Sequence, residues 1–564
     1  MRYLTLSLVL VAFLPSLPAQ YDADAPVPIA RFRGALVLGG GGELPGEVYD
    51  QFVTLAGGED AKIALLGVEA PTEADRAPFL KRGATESGLK SIKLPDATGI
   101  WIVGEDPGAF AKKFRGSPTE KMLRELIAKG KVVGGNGAVT RALAKVMIPS
   151  EAADAAMGQG LDLVPGAVLD DDYTGSKRKR RLLETLAAQP DLVGLGIDAK
   201  TAIVVHQRWI DVLGEGSVHG CIAASAKRTL RIDRMNRRES PASQRRRPAT
   251  AEPGRARPGR GGRRGRGRGR SRNRRSSRLR RLGDLIALSR SAQARAYPKF
   301  PAYSPVPPAV KKGTLIIAGG GGMPPGLMER FIEFAGGKDA PLVYVPCEER
   351  ETVSRTPGML AAWKRLGATD VDWVHTKDRN VAHTDEALLE KLRRAKGVWF
   401  GGGRQWNLVD SYQNTTAHKL MHDVLARGGV IGGSSAGASI QGSYMCRGNS
   451  LGNRDSMAEG YEIGLGFLTG VAIDQHFTQR NRLPDMTGLA KTYPKLLGIG
   501  LDEAASIVVR GTVAEVVART DRNVNIYDRS QPVVPGELDH LVLSHGQRYD
   551  LKARETLAVA PPKK

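Results

Sequence analysis

VIGGSSAGASIQG, residues 430–442, decides how the chain is read. It opens on the β-branched pair Val430 and Ile431, which favour a strand. The run of small residues from Gly432 to Gly437 permits a sharp reversal, and ASIQGS restarts as a helix. A strand that turns directly into a helix is the repeating unit of a parallel α/β sheet. Within the turn, Gly433-Ser434-Ser435-Ala436-Gly437 fits G-x-S-x-G, which leaves the middle serine exposed at the start of the helix. Only Ser435 has glycine at both minus two and plus two, so it is the candidate nucleophile. The amide of Ala436 is then placed to donate to an oxyanion.

The same phrase occurs earlier in the chain. KGKVVGGNGAV (129–139) parallels RGGVIGGSSAG (427–437). GALVLGGGGELPG (34–46) parallels GTLIIAGGGGMPPG (313–326), GIWIVGED (99–106) parallels GVWFGGGRQ (397–405), and LVGLGIDAKTAIVV (192–205) parallels LLGIGLDEAASIVV (496–509). LGDLIALS (282–289) parallels ELDHLVLS (537–544). A repeat as long as a domain means two domains in tandem and not a solenoid. In the second copy TLIIAG, LVYVP, VDWVH, GVWF and GVIGG read as buried parallel strands. MPPGLMERFIEFAGG and NTTAHKLMHDVLARGG read as amphipathic helices ending at glycine. Each copy is therefore expected to be an α/β domain with a doubly wound, mainly parallel sheet. Its ligand crevice lies at the carboxyl ends of the strands.

A length of 564 residues agrees with two domains plus additions. Residues 1–20, MRYLTLSLVLVAFLPSLPAQ, read as an export signal, which predicts a periplasmic or extracellular protein with no membrane span. Cys221, Cys347 and Cys446 form neither a disulfide framework nor a metal pattern. His418 and His422 are spaced i, i+4, but no acidic ligand accompanies them, so no metal and no cofactor is expected.

The net charge of +24 is concentrated in one tract. Residues 227–281 hold 23 Lys and Arg against Asp233, Glu239 and Glu252, which leaves only +4 for the rest. This Arg/Gly/Pro-rich insert reads as disordered, and without aromatic residues to stack bases it predicts no specific nucleic-acid binding. The expected organisation is a first domain over 31–226 whose last strand resumes at about 282–292, the insert 227–281, a Pro-rich linker 293–312, and a second domain over 313–553.

Serine needs a base and an orienting acid. His476, in VAIDQHFTQRNRL, ends an apolar strand-like run. Asp502 and Glu503, in GIGLDEAAS, follow another, and either can orient the imidazole. The order serine, histidine, acid disfavours the α/β-hydrolase fold, in which the acid precedes the histidine. In the first copy Ser435, His476 and Glu503 face Gly137, Asp172 and Ala199, so that copy lacks the chemistry. Gly401-Gly402-Gly403 faces Val103-Gly104-Glu105, where a carboxylate would repel an oxyanion. Arg480 and Arg482 follow the histidine; on their own they read as ordinary surface charge, and beside a nucleophile they suggest an acidic substrate.

FGGGRQ (400–405), GGSSAGA (432–438), DQHFTQRNRL (474–483) and GIGLDEAAS (498–506) together resemble the cyanophycinase / aspartyl dipeptidase family of serine peptidases. The resemblance covers about residues 313–545. It implies a class I glutamine-amidotransferase-like, flavodoxin-like fold, with nucleophile Ser435, base His476 and orienting acid Glu503. It implies an oxyanion site of backbone amides near Gly402, Gly403 and Ala436. It places Gln405, Asp474, Gln475, Arg480 and Arg482 around an acidic peptide or cyanophycin-like substrate, cut to β-Asp-Arg in the second case. Two features depart from the family. Arg404 stands where an acid is common, and Asp485 falls where a third arginine is expected. A tandem chain is compatible with an internal pseudo-dimer or a homodimer. Two other readings stand beside this one: a non-catalytic polyanion-binding protein using the Arg-rich tract, and an enzyme using Cys446 or Cys347.

Overall fold

A computed structural model of the protein describes residues 33–85, 89, 92–148, 157–175, 178–236, 283–297, 305–353 and 356–558. The expected export signal, residues 1–20, and residues 237–281 of the expected Arg-rich insert lie outside them. The described chain divides into two compact units, one of Phe32–Ala224 with Thr229–Leu285, the other of Ser225–Arg228 with Ile286–Lys564.

In the second unit the strand Val430–Ser434 forms where the β-branched run predicted it. It pairs in parallel with Gly397–Gly403 on one side and Val310–Ala318 on the other. Leu342–Cys347 and Val371–Trp373 complete a parallel half-sheet of five strands. Beyond Val310–Ala318 the same sheet continues antiparallel through Ala505–Gly511, Val513–Ala518, Arg548–Asp550 and Glu555–Leu557. The helices Leu327–Phe334 and Gly358–Arg365 cover one face. There Phe331 stacks on Trp363 and meets Trp399 edge-on, with no room for a side chain at Gly432.

After the serine turn the chain leaves this sheet and builds a second one. Gly442–Met445, Leu468–Gln475 and Leu497–Leu501 run parallel, and Val524–Tyr527 and Leu541–Leu543 extend it antiparallel. The α/β architecture thus holds, and each unit carries two sheets in which a parallel part is extended by antiparallel strands. The first unit repeats the central strand order, among the described residues without a counterpart to Val371–Trp373. Ile63–Leu66, Gly99–Ile102, Val132–Asn136 and Ala35–Gly39 are parallel, followed by antiparallel Thr201–His206 and Trp209–Gly214. Its second sheet is centred on Val164–Asp171 and Val193–Ile197.

Three boundaries differ from expectation. Residues 282–292 were expected to form a last strand. They form only the two-residue strand Gly283–Asp284 before the helix Leu285–Ala296. Alanine, leucine and arginine favour that helix, while the second copy carries Val542 in the strand Leu541–Leu543. The same helix runs into the expected linker 293–312. The insert begins later than its charge suggests, because Arg231–Asn236 is a strand paired with Ser217–Ile222. Within this strand Arg231 pairs with Asp233, and Arg234 donates to Ser217 Oγ.

Candidate active site

One glycine-rich loop organises the crevice of the second unit. The strand Val310–Ala318 ends in Gly319 to Gly322, and the carbonyls of this stretch hold three turns. Ser435 N–H donates to Ala318 O (3.0 Å), His476 N–H to Gly319 O (3.1 Å) and Ala504 N–H to Gly320 O (2.8 Å). The loop must be glycine. A Cβ on Gly320 would lie 2.6 Å from His476 Cε1, and one on Gly321 would lie 2.4 Å from the Glu503 carboxyl carbon. Both positions also have positive φ, which glycine adopts at no steric cost. The three side chains are thereby brought to one point from two different sheets.

Ser435 has φ 57 and ψ −115, a strained conformation for a residue with a side chain, and it directly precedes the short helix Ala436–Ser439. Its Oγ lies 2.8 Å from His476 Nε2. His476 Nδ1 lies 2.6 Å from Glu503 Oε1. A carboxylate only accepts, so Nδ1 carries the proton and Nε2 presents its lone pair to the serine hydroxyl. Of the two acids left open by the sequence, Glu503 meets the ring. Asp502 is taken up elsewhere: its carboxylate accepts from Thr478 N–H and Oγ–H and from Asn523 N–H. It ties the histidine turn to the acid turn. Gln479 adds a second tie by accepting from Glu503 N–H at 2.7 Å.

Burial holds the His476 pKa below its ordinary value, and Arg480 lowers it further, while the hydrogen bond to Glu503 opposes both. The ring is therefore neutral and ready to accept a proton near neutral pH. Gly402 borders the serine, since a Cβ there would sit 3.4 Å from Ser435 Cβ. Gly403, at φ 151, lies against Cys347 O. Both glycines are exposed, and Ala436 is buried at the turn.

The remaining expected residues divide into two groups. Arg480 is exposed beside the histidine, with no ion-pair partner among the described residues. Gln475 is buried next to it, and its Oε1 has no hydrogen-bond partner among the described residues. Gln405, Asp474 and Arg482, expected around the substrate, turn inward to protein partners. Gln405 donates to Cys446 O. Asp474 lies between Arg447 (2.8 Å) and Arg482 (2.9 Å), and Arg447 also pairs with Asp485 (2.6 Å). Two guanidinium groups and two carboxylates cancel, so Arg482 offers no free charge and the cluster acts as a rigid floor. Arg447 and Gln479 were not singled out from the sequence, and Arg447 reaches Asp474 across 27 positions. The only sequence signal for Gly320 and Gly321 is the Gly-Gly-Gly-Gly run shared by both copies.

The cysteine reading does not fit this geometry. Cys347 is buried, its thiol pushed up to about 12 mainly by burial. Cys446 is fully enclosed and held well above its ordinary value for the same reason. Neither can act as a ready thiolate.

Peptidase family S51 matches residues 315–517. A cyanophycinase of Synechococcus elongatus is 30% identical over 254 residues, covering 42% of this chain and 78% of its own length. The chain belongs to peptidase family S51. A cyanophycinase of Geminocystis herdmanii is 28% identical over 246 residues, covering 41% of this chain and 90% of its own. The crystal structure of a peptidase from an acI-B1 Actinobacterium is 24% identical and covers 42% of this chain and 97% of its own, with a TM-score of 0.32. As an S51 member the chain is a serine-type peptidase, and the matched residues lie in the second unit.

The crevice of the first unit is built differently at the corresponding turns. Gly137, Asp172 and Lys200 have φ of 70, 45 and 56, close to the 57, 49 and 55 of Ser435, His476 and Ala504. The backbone is alike while the reacting groups are missing. The Asn136 side chain spans the glycine loop, accepting from Gly41 N–H (3.0 Å) and donating to Gly42 O (2.9 Å). Asp171 is paired with the buried Arg141.

Proposed function

We propose that the second unit hydrolyses peptide or isopeptide bonds next to aspartyl residues through an acyl-enzyme on Ser435. The observation that carries this reading is the continuous relay from Ser435 Oγ to His476 Nε2 to Glu503, at 2.8 and 2.6 Å, on a turn held at positive φ. In the proposed cycle His476 Nε2 takes the hydroxyl proton as Oγ adds to the scissile carbonyl carbon. Glu503 fixes the tautomer and stabilises the imidazolium. Backbone amides at Gly402, Gly403 and Ala436 are the proposed donors to the oxyanion. The imidazolium then protonates the departing amine, and water enters by the same route to release the acid.

Two features support an acidic substrate. The matched relatives are cyanophycinases, and the exposed Arg480 beside the base has no ion-pair partner among the described residues. The proposed substrates are cyanophycin, cut to β-Asp-Arg, or Asp-containing peptides. We further propose that the first unit is a catalytically silent copy and that the protein is exported. Pseudo-dimeric or homodimeric assembly and the lack of specific nucleic-acid binding remain part of the same reading.

Incubating the full chain with cyanophycin and with α- and β-aspartyl dipeptides, and reading products by mass, tests the substrate class. Ser435→Ala should lower turnover by roughly 10⁴-fold or more while leaving the melting temperature in place. Activity within tenfold of the parent would remove Ser435 from the mechanism.

A further inference from the structure

Residues from outside the catalytic repeat are built into the second unit. Arg228, at the start of the Arg-rich stretch, and the helix Leu285–Ala296, after its end, flank the residues outside the described chain, and Arg228 and Ile286 onward belong to the catalytic unit. Their basic side chains converge on one turn. Arg295 holds Glu459 through two hydrogen bonds, of 2.7 and 3.2 Å. Arg228 pairs with the same carboxylate at 2.6 Å and reaches Glu462 at 3.5 Å. Ser291 Oγ donates to Glu459 O, and the helix backbone packs so closely on Gly460 that a Cβ there would lie 2.6 Å from the Arg290 carbonyl carbon. Arg290 sits over the Tyr461 ring and pairs with Asp410, which accepts from the Tyr461 hydroxyl.

The other end of the same segment, from Cys446 onward, lies at the active site. Cys446 O receives Gln405, Asn449 O and Gly452 O receive Arg404, and Arg447 pairs with Asp474. Gln405 and Arg404 directly follow Gly402 and Gly403, and Asp474 is two residues before His476. Between the two ends, Leu451 and Met457 present exposed apolar side chains. The segment 446–462 is therefore moored to the oxyanion strand and the histidine turn at one end, and to the arginine pair at the other.

We propose that Arg228 and Arg295 are positioning residues for peptide binding. Through Glu459 they hold the segment 446–462 beside the crevice, so that engagement of an extended peptide depends on them while chemistry at Ser435 does not. The proposal rests on Ser435 being the nucleophile. Two serine-directed probes separate the two statements in the full chain: a small alkyl fluorophosphonate, which needs only the relay, and an aspartyl-peptidyl diphenyl phosphonate, which also needs the peptide site.

In the double variant Arg228→Ala/Arg295→Ala the small probe should label Ser435 at the parent rate. The peptidyl probe should slow roughly tenfold, as expected for misplacement away from the reacting atoms. The pair Arg228→Lys/Arg295→Lys should recover part of the peptidyl rate, because it keeps the charge and loses the two-pronged geometry. Arg295→Ala alone provides a milder variant if the double one folds poorly, and the same divergence of the two rates is expected. Equal slowing of both probes in every variant, or no slowing of the peptidyl probe, would overturn the proposal in favour of a purely structural clamp. Failure of the small probe to label Ser435 in the parent would instead refute the nucleophile, and with it the premise of the clamp.

Discussion

Arg480 is a charged side chain that acts on the reacting base from outside the relay. It lies four residues after His476 on an exposed turn, and its N–H donates to His476 O. A guanidinium there disfavours the imidazolium, so it contributes to the depressed His476 pKa, after burial and against the Glu503 hydrogen bond. The base is active when neutral. Activity therefore falls as pH drops through the His476 pKa, which lies below the ordinary imidazole value of about 6.5. Arg480→Ala removes a lowering influence, so the acid limb of kcat/KM should move to higher pH, toward that value. A pH–rate profile that keeps its acid limb in place would show that Arg480 does not act on the base. Loss of substrate affinity in the same variant is separable, because it appears in KM at pH above the limb. Ser435 and His476 were legible from the sequence because each follows an apolar strand, where a parallel sheet opens its crevice, whereas Asp502 and Glu503 follow the same strand and only the family resemblance chose Glu503. The neutral cluster of Arg447, Asp474, Arg482 and Asp485 was not legible. Whether an arginine meets a substrate or a buried carboxylate depends on a loop arriving from elsewhere in the chain.

At the scale of elements, the helix Thr416–Ala426 fixes the approach to the histidine strand. His418 Nδ1 accepts from Asn414 N–H, so its Nε2–H donates to Leu465 O at 2.9 Å, three residues before the strand Leu468–Gln475. His422 Nε2 lies 2.9 Å from the same carbonyl. The i, i+4 histidines thus form a buried stitch between a helix and the strand that carries the base. Burial pushes the His418 pKa down to about 3, with His422 and Arg379 lowering it further. The unfolded imidazole binds a proton below about pH 6.5 while the folded one stays neutral. Stability from this residue is therefore full above pH 6.5 and is lost progressively toward pH 3. His418→Gln should melt lower than the parent at pH 7, by the roughly 1–3 kcal/mol of a lost buried partner, and the gap should narrow at pH 4. A constant gap across that range, measured by thermal melts, would mean that His418 stays neutral in the unfolded chain or is charged in the fold. Strands and helices with strong periodicity were readable. The helix Leu285–Ala296 was misread because similarity to a strand in the other copy outweighed its alanine-rich composition. The strand Arg231–Asn236 was missed because its arginines resemble a solvated tract, whereas Met235 is buried.

At the scale of the whole molecule, the basic tract begins and ends at neighbouring points of the first unit. Arg231–Asn236 is the last described strand before it and Gly283–Asp284 the first after it. A Cβ on Gly283 would lie 2.4 Å from Met235 Sδ, so the two ends nearly touch. Residues between such ends can be exchanged for a short flexible linker with little effect on the sheets they leave. Residues 240–280 hold sixteen arginines and one acid, Glu252. Replacing them with a Gly-Ser linker keeps Arg228 and Arg295 and removes most of the net charge. The variant should hydrolyse aspartyl substrates within about twofold of the parent, because the Ser435–His476–Glu503 relay is complete among the described residues. The parent should bind heparin with steep salt dependence, and the variant should lose that binding, since the phosphate- or sulfate-seeking charge has gone. Hydrolysis that falls more than about tenfold on excision would assign the tract a part in catalysis. Heparin binding that survives excision would move the polyanion site onto the folded units, whose residues outside 227–281 carry only +4 of the +24 net charge.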